Sequence, residues 1–164
     1  MRRGTKTDLP AILSINRVGV PGVSAVSLAE AERLFGTASW FQVVELAGTV
    51  VGYAIAFTPD APYGGEEFLW IKRSFDRFVY VDQVAVSLEG RRKGVASALY
   101  SDLEAFARAE GIPRLACEVN IRPENAPSLA FHTQHGFSEV GRLDTRDGRL
   151  VSLMVKELAS RPCA

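Results

Sequence analysis

The 164-residue chain is short of several things, and each shortage removes a class of function. It has two cysteines, Cys117 in an apolar run and Cys163 in the tail, so no disulfide framework is expected and both read as free thiols in a reducing cytoplasm. It has no excess charge, since 19 Lys plus Arg balance 19 Asp plus Glu. Without a global field, neither nucleic acid nor a membrane surface is an expected partner, and any bound anion must be held by a local cluster. No apolar run approaches the roughly 18 residues of a membrane span. The opening MRRGTKTDLP carries positive charge with no apolar stretch behind it, so a secreted or spanning protein is not expected. The G-x-G-x-x-G and G-x-x-x-x-G-K-[ST] fingerprints are missing, which leaves dinucleotide-binding and P-loop readings without their motif. Only two histidines occur, His132 and His135, and no further His or Cys lies near them. Zinc takes at least three protein ligands, so no metal site is expected.

What is present is ordinary globular material, 47% hydrophobic and 23% charged. A single domain over 1–164, with its core at about 5–158, fits this length. About 70% of the unfolded surface can be buried at this size, so neither disulfide nor metal is needed for a core. Thr7 reads as the cap of a first helix with Leu9, Ile12, Leu13 and Asn16 at helical spacing, closed by Gly19. Ser27 and Glu30 form a capping box for a second helix that ends at Gly36. WFQVVEL and TVVGYAIAF flank a turn at Ala47-Gly48 and predict a hairpin. Residues 59–76 read as a long connection with apolar content, the kind of loop that often carries function. Then come the strand RFVYVDQVAVS, a helix with Leu99, Leu103, Phe106 and Ala107 on one face, and the strand RLACEV. Gly111 is that helix's natural stop. Asn125 caps a short helix with Pro127 in its first turn and Gly136 at its end, and a closing hairpin follows. The order α-α-β-β-β-α-β-α-β-β predicts an α/β fold around one mixed sheet of six or seven strands with about four helices.

The chemistry is concentrated where a strand runs into GRRKGVA and then a helix. Arg91, Arg92 and Lys93 precede Gly94 where that helix begins. A helix N-terminus offers unpaired N–H groups and the positive end of its dipole, a natural seat for a phosphate. The small residues Gly94 and Ala96 let backbone approach a pyrophosphate closely. Read alone, the same turn is equally a solvated basic turn before a helix.

The run Arg91-Arg92-Lys93-Gly94-Val95-Ala96 resembles the acetyl-CoA signature Q/R-x-x-G-x-G/A of the GNAT acetyltransferase superfamily. A second run resembles that superfamily's Asn-x-x-Ser-x-x-φ-Tyr-x-x-x-Gly-Phe element, here Asn125, Ser128, Phe131, His132, Gly136 and Phe137. The element order is similar from Thr7 to about Leu158, and FLWIKRSFDRFVYVDQVAV resembles a bacterial branch. The resemblance implies a GNAT-like sheet whose central strands splay to hold acetyl-CoA. The backbone of Val84, Ala85 and Val86 would hold the pantetheine arm, and the turn Arg91, Arg92, Lys93, Gly94, Val95, Ala96 and Ser97 the pyrophosphate. Asn125, Ser128 and Phe131 would line the other side.

It also implies transfer of an acetyl group to a primary amine by direct attack. An alkyl ammonium has a pKa near ~10 and a departing thiol near ~8.5, so a base must take one proton and a donor must meet the sulfur. Relatives place a Tyr beside the sulfur where this chain has His132, which serves either as the acid or as a wall of the site. A Glu-Val pair on the equivalent strand makes Glu118 the first candidate base, with Asp82 next; a structural carboxylate paired to an Arg is the alternative for both. His135 reads as a helix-end residue, favoured there by the dipole. Phe68, Trp70, Phe75 and Tyr80 are candidate walls for the acceptor or core residues, and Phe75 and Tyr80 fit core better. A small amine or amino acid is the favoured acceptor, with Trp70 closing the groove between residues 7–35 and 59–76; an open groove there would admit a peptide. A homodimer fits the commonest soluble assembly, with no feature locating an interface. The alternative from another class is a module that binds acyl-CoA as a sensor without turning it over.

Overall fold

A computed structural model describes residues 1–158, so Cys163 lies outside the described residues. The alternating runs after residue 39 form the expected hairpin. β2 (Trp40–Leu46) turns through Ala47 and Gly48 into β3 (Thr49–Phe57), and both turn residues have positive φ, 50° and 78°. A two-residue hairpin turn requires that backbone, because it matches the twist of the flanking strands. A short β1 (Arg2–Arg3) adds to the free edge of β2. With β4 (Val79–Val86), β5 (Arg114–Arg122), β6 (Ser138–Asp144) and β7 (Leu150–Glu157), the sheet has seven strands in the order β1-β2-β3-β4-β5-β7-β6. Only the β4–β5 pair is parallel.

The sheet has a helical layer on each face. α1 (Leu9–Gly19), α2 (Leu28–Thr37) and α3 (Glu66–Ser74) bury Ile12, Leu34, Phe68 and Ile71 with Tyr53, Phe57 and Tyr80. α4 (Val95–Ala109) buries Leu99, Tyr100 and Leu103 on the other face with Val79, Val81 and Cys117. α5 (Ala126–Gln134) packs Leu129 and Phe131 against that same layer. No described helix is long and apolar enough to cross a membrane.

Several local expectations are corrected. The N-cap of α1 is Asp8, not Thr7, and Thr5 caps the 3-10 turn Lys6–Asp8 that precedes it. Asp8 accepts from the Thr5 N–H at 2.8 Å and its hydroxyl at 2.9 Å, closing a 3-10 turn ahead of the helix. α2 runs through Gly36 to Thr37, because Gly36 does not take the positive φ of a left-handed helix stop. The connection at 59–76 contains α3, with Glu66 and Glu67 in its first turn and Lys72 and Arg73 in its last, both matched to the dipole. Gly111 behaves as expected. Its N–H reaches Arg108 O at 3.1 Å and that of Ile112 reaches Ala107 O at 2.7 Å, a Schellman closure of α4.

Candidate active site

The site begins where β4 and β5 stop pairing. Their ladder has three rungs, Val79–Leu115, Tyr80–Ala116 and Val81–Cys117, and both strands continue beyond it. The cause lies on the other edge of β4, where the register with β3 slips between Ile55–Gln83 and Ala56–Val81. That bulge leaves Asp82 out of the ladder and bends the strand, as bulges beside sites do. It also aims Asp82 and Gln83 toward the α1–α3 face, where they meet Tyr63 and Tyr53. Val81 and Val84 stay on the α4 face.

Two clefts meet at this splay. One, of about 530 Å3, runs between the strands and is walled by Val84, Ala85, Val86, Arg91, Asn125, Ser128 and His132 among others. The other, of about 450 Å3, lies under the α1–α2 loop and is walled by Arg33, Tyr63, Glu67 and Gln83 among others. Ser24, Asp82, Glu118 and Arg149 border both. The α1–α2 loop is strapped over the junction by buried polar groups. Asn16 Nδ2 donates to Ser24 O at 3.0 Å, and Asn120 Nδ2 donates to Pro21 O at 2.8 Å.

Asp82 and Glu118 follow the last rung directly, one on each strand. Tyr63 donates its hydroxyl to Asp82, and Tyr80 donates to Glu118. Burial pushes the Asp82 carboxyl up to about 6, only partly opposed by the Tyr63 hydroxyl. Glu118 is held well above the ordinary carboxylate range, first by burial and then by the charges of Asp82 and Glu67. Arg149 clamps Glu67 at 2.8 Å and Asp147 at 2.8 Å, which leaves its charge largely spoken for. Burial also pushes the Cys117 thiol up, with Glu118 adding to the shift.

The opposite wall belongs to α4 and α5. Asn125 caps α5, accepting from the Ser128 N–H at 3.3 Å. His132, buried at 3% exposure, places Nδ1 2.7 Å from the Ser128 carbonyl oxygen. A carbonyl can only accept, so Nδ1 carries the hydrogen. Nε2 lies 2.6 Å from the Tyr100 hydroxyl, and burial lowers the pKa of the ring. The neutral ring therefore takes its second bond as an acceptor and keeps no N–H for the cleft. His135 caps the end of α5, with Nδ1 2.8 Å from Phe131 O and Nε2 3.2 Å from Ser97 Oγ. The two histidines thus have separate partners.

Arg92, Lys93, Gly94, Val95, Ala96, Ser97 and Phe131 are not in the wall of the strand cleft; the first six continue from Arg91 into α4. Arg92 and Gly94 adopt positive φ, 58° and 75°, and turn the chain so that α4 presents its N-terminus. Arg91, Arg92 and Lys93 are exposed and form no ion pair among the described residues. Val95 turns its side chain into the core, so only its backbone is available to a ligand. Phe131 stacks on His135 at 3.9 Å. Among the aromatic candidates, Phe68 and Tyr80 are core residues, and Trp70 packs on Gly141 instead of closing the groove. Phe75 lies under the Arg114 guanidinium, 4.8 Å from it. The aromatic wall of the second cleft is Tyr63.

The acetyltransferase (GNAT) family pattern matches residues 22–137, more than half the chain and both halves of this site. The chain belongs to the GNAT acetyltransferase family. It is an enzyme that uses acetyl-CoA as acetyl donor, which supersedes the sensor alternative. None of the curated proteins compared matches it. Among solved structures, the ribosomal-protein-alanine N-acetyltransferase of Brucella melitensis is 26% identical, with a TM-score of 0.70 over 96% of this chain and 98% of its own. The ribosomal-protein-S18-alanine N-acetyltransferase of Escherichia coli is 19% identical, with a TM-score of 0.74 over 98% of this chain and 94% of its own. yncA of Salmonella typhimurium, solved with its cofactor acetyl-CoA, is 22% identical, with a TM-score of 0.69 over 99% and 95%. The acetyltransferase has features suited to that ligand. From Asp82 onward the β5-facing edge of β4 has no strand partner, so its backbone can pair with the pantetheine amides. The exposed N-terminus of α4 and three free cations can take the pyrophosphate.

Proposed function

We propose that the enzyme transfers the acetyl group of acetyl-CoA to a small primary amine by direct attack in a ternary complex. The observation that carries this reading is the division of the splay between the two faces of the sheet. Glu118 and Asp82 lie toward the α1–α3 face, where the second cleft opens. Tyr100 and His132 lie toward the α4–α5 face. An amine entering from the first side meets a carboxylate that can take its proton, while the donor's sulfur lies toward the second. Direct transfer needs the amine held within reach of the thioester carbonyl carbon in one complex, with a proton acceptor on the amine's side and a donor on the sulfur's.

Glu118 is the base in this reading, because its raised pKa brings it toward the pH at which a general base works best. Asp82 sustains that shift by its charge and stands as the second candidate base. Val84, Ala85 and Val86 hold the pantetheine arm, residues 91–97 hold the pyrophosphate, and Asn125, Ser128 and Phe131 complete the far side. Acetyl-CoA supplies the activated acyl group; the chain supplies orientation, the proton acceptor and a donor toward the sulfur. The second cleft, at about 450 Å3, is of a size that encloses a small acceptor. Cys117 is a poor candidate for a covalent acyl carrier, since the thiolate is the nucleophile and burial disfavours it.

Initial velocities with acetyl-CoA varied at several fixed amine concentrations test this directly. Intersecting double-reciprocal lines are expected. Parallel lines would mean a covalent acyl-enzyme and would overturn direct attack.

A further inference from the structure

We propose that Tyr100, reaching across from α4, supplies the hydroxyl that faces the coenzyme A sulfur, and that His132 is the positioning residue that holds this hydroxyl ready. The inference rests on the acetyl-CoA reading of the strand cleft.

His132 occupies the expected sulfur-side position on α5, but both its ring nitrogens are engaged. Nδ1–H is donated to the Ser128 carbonyl, and Nε2 accepts from Tyr100. The hydroxyl beyond Nε2 is a polar hydrogen of this wall contributed by α4, beside those of Ser128 and Asn125 on the α5 side. Tyr100 and His132 both border the strand cleft. Tyr100 and Glu118 both border the strand cleft, and burial raises the Tyr100 pKa with the Glu118 charge adding to the shift. Its ring is fixed on three sides, by His132 at 5.4 Å, Phe131 at 5.5 Å and Phe137 at 5.7 Å. The titratable neighbours of the pair are His135 beside His132, with Cys117 and Glu118 beside Tyr100.

The arrangement discriminates between uncharged and charged sulfur. A phenol has one hydrogen, and against a neutral thioester that hydrogen stays on Nε2. As the sulfur gains negative charge, the hydroxyl rotor turns to it, exchanging a neutral hydrogen bond for a charge-assisted one, which is roughly twice as strong. No heavy atom has to move. The contact thus forms as charge develops, which is the kind of interaction that raises kcat rather than ground-state affinity.

The test compares coenzyme A with desulfo-coenzyme A, in which hydrogen replaces the thiol, by calorimetry between pH 6.5 and 9. A free thiol ionises near ~8.5, so over this range the bound sulfur becomes charged. The unaltered protein is expected to favour coenzyme A increasingly as pH rises, by roughly tenfold at the top. Tyr100→Phe, with an unchanged melting temperature, is expected to show a flat ratio. A second measurement needs no variant. The 15N shift of His132 Nε2 is expected to move toward an unpaired value with coenzyme A at pH 9, and to stay put with desulfo-coenzyme A. A rising ratio retained in Tyr100→Phe, or an Nε2 shift indifferent to the sulfur, overturns the inference and leaves the acetyltransferase reading standing. Failure of the unaltered protein to bind coenzyme A at all overturns both.

Discussion

Asp82 and Glu118 are the first residues past the last rung of the β4–β5 ladder, one on each strand, and the charge of Asp82 raises the pKa of Glu118. Two carboxylates held this way behave as a coupled pair, in which one proton is retained far more readily than two are lost. The same point is the border of both clefts, and in the proposed reaction an amine from one cleft would there reach an acyl group in the other.

Glu118→Gln keeps the shape and the bond from Tyr80 and removes the base. It is expected to lower kcat by about 100-fold to 10,000-fold, with the affinity for acetyl-CoA unchanged. Asp82→Asn is expected to cost less, and to shift the rising limb of the kcat profile to lower pH, because Glu118 loses the neighbouring charge that raises it. Steady-state kinetics from pH 5.5 to 9 read both effects.

The same shifts set the pH dependence of stability. Asp82 has a folded-state pKa of about 6 against an ordinary 3.8, so its contribution is complete below 3.8 and is lost as pH rises through about 6. The loss amounts to at most about 3 kcal/mol, less with relaxation. His132 works in the other direction. Its pKa is lowered by burial, so its contribution is present above 6.5 and is lost as pH falls further. Thermal melts of Asp82→Asn are expected to lose the decline that Asp82 causes between about pH 4 and 6, while the acid-side loss from His132 persists.

Arg149→Met would leave Glu67 unpaired beside Asp82 and Glu118. Removing one partner of a largely buried pair costs about 3 kcal/mol, here at the low end because the arginine is partly exposed. At this chain length that is a melting temperature lower by roughly 6–12 °C, read by calorimetry.

Arg91→Ala with Arg92→Ala is expected to raise the KM for acetyl-CoA by about threefold to tenfold, with the difference shrinking at high salt. kcat at saturation should not change. Gly94→Ala meets no atom within 4 Å but must hold φ at +75°, so it is expected to cost roughly 1–2 kcal/mol of stability by backbone strain alone.

Much of this was legible in the chain because it is written in local pattern. The hairpin turn at Ala47-Gly48, the Ser27–Glu30 capping box and the GRRKGVA junction each depend on neighbours within a few residues. α3 is hidden in the sequence because Phe68, Leu69, Trp70 and Ile71 are consecutive apolar residues after a Gly-rich loop, which blurs the helical period; of these four, Phe68 and Ile71, three apart, are buried. The site was half legible. Tyr80 and Asp82 share a strand face by simple alternation, but Tyr63, Glu67, Tyr100 and Arg149 reach the splay from elements far away in sequence. Trp70 was misplaced for the same reason, since its partner Gly141 lies on β6, beyond any local rule. That His135 ends α5 is legible in the sequence, but the α4 partners of the two rings, Tyr100 for His132 and Ser97 for His135, are not revealed by any spacing within their own helix.

In the proposed reaction Glu118 accepts the proton of an amine that attacks acetyl-CoA directly. The most direct test is release of free coenzyme A thiol with a panel of primary amines, comparing the unaltered enzyme with Glu118→Gln at pH 8. Amine-dependent release is expected, falling at least about 100-fold in the variant while acetyl-CoA still binds. Release by Glu118→Gln within twofold of the unaltered enzyme would contradict that role for Glu118.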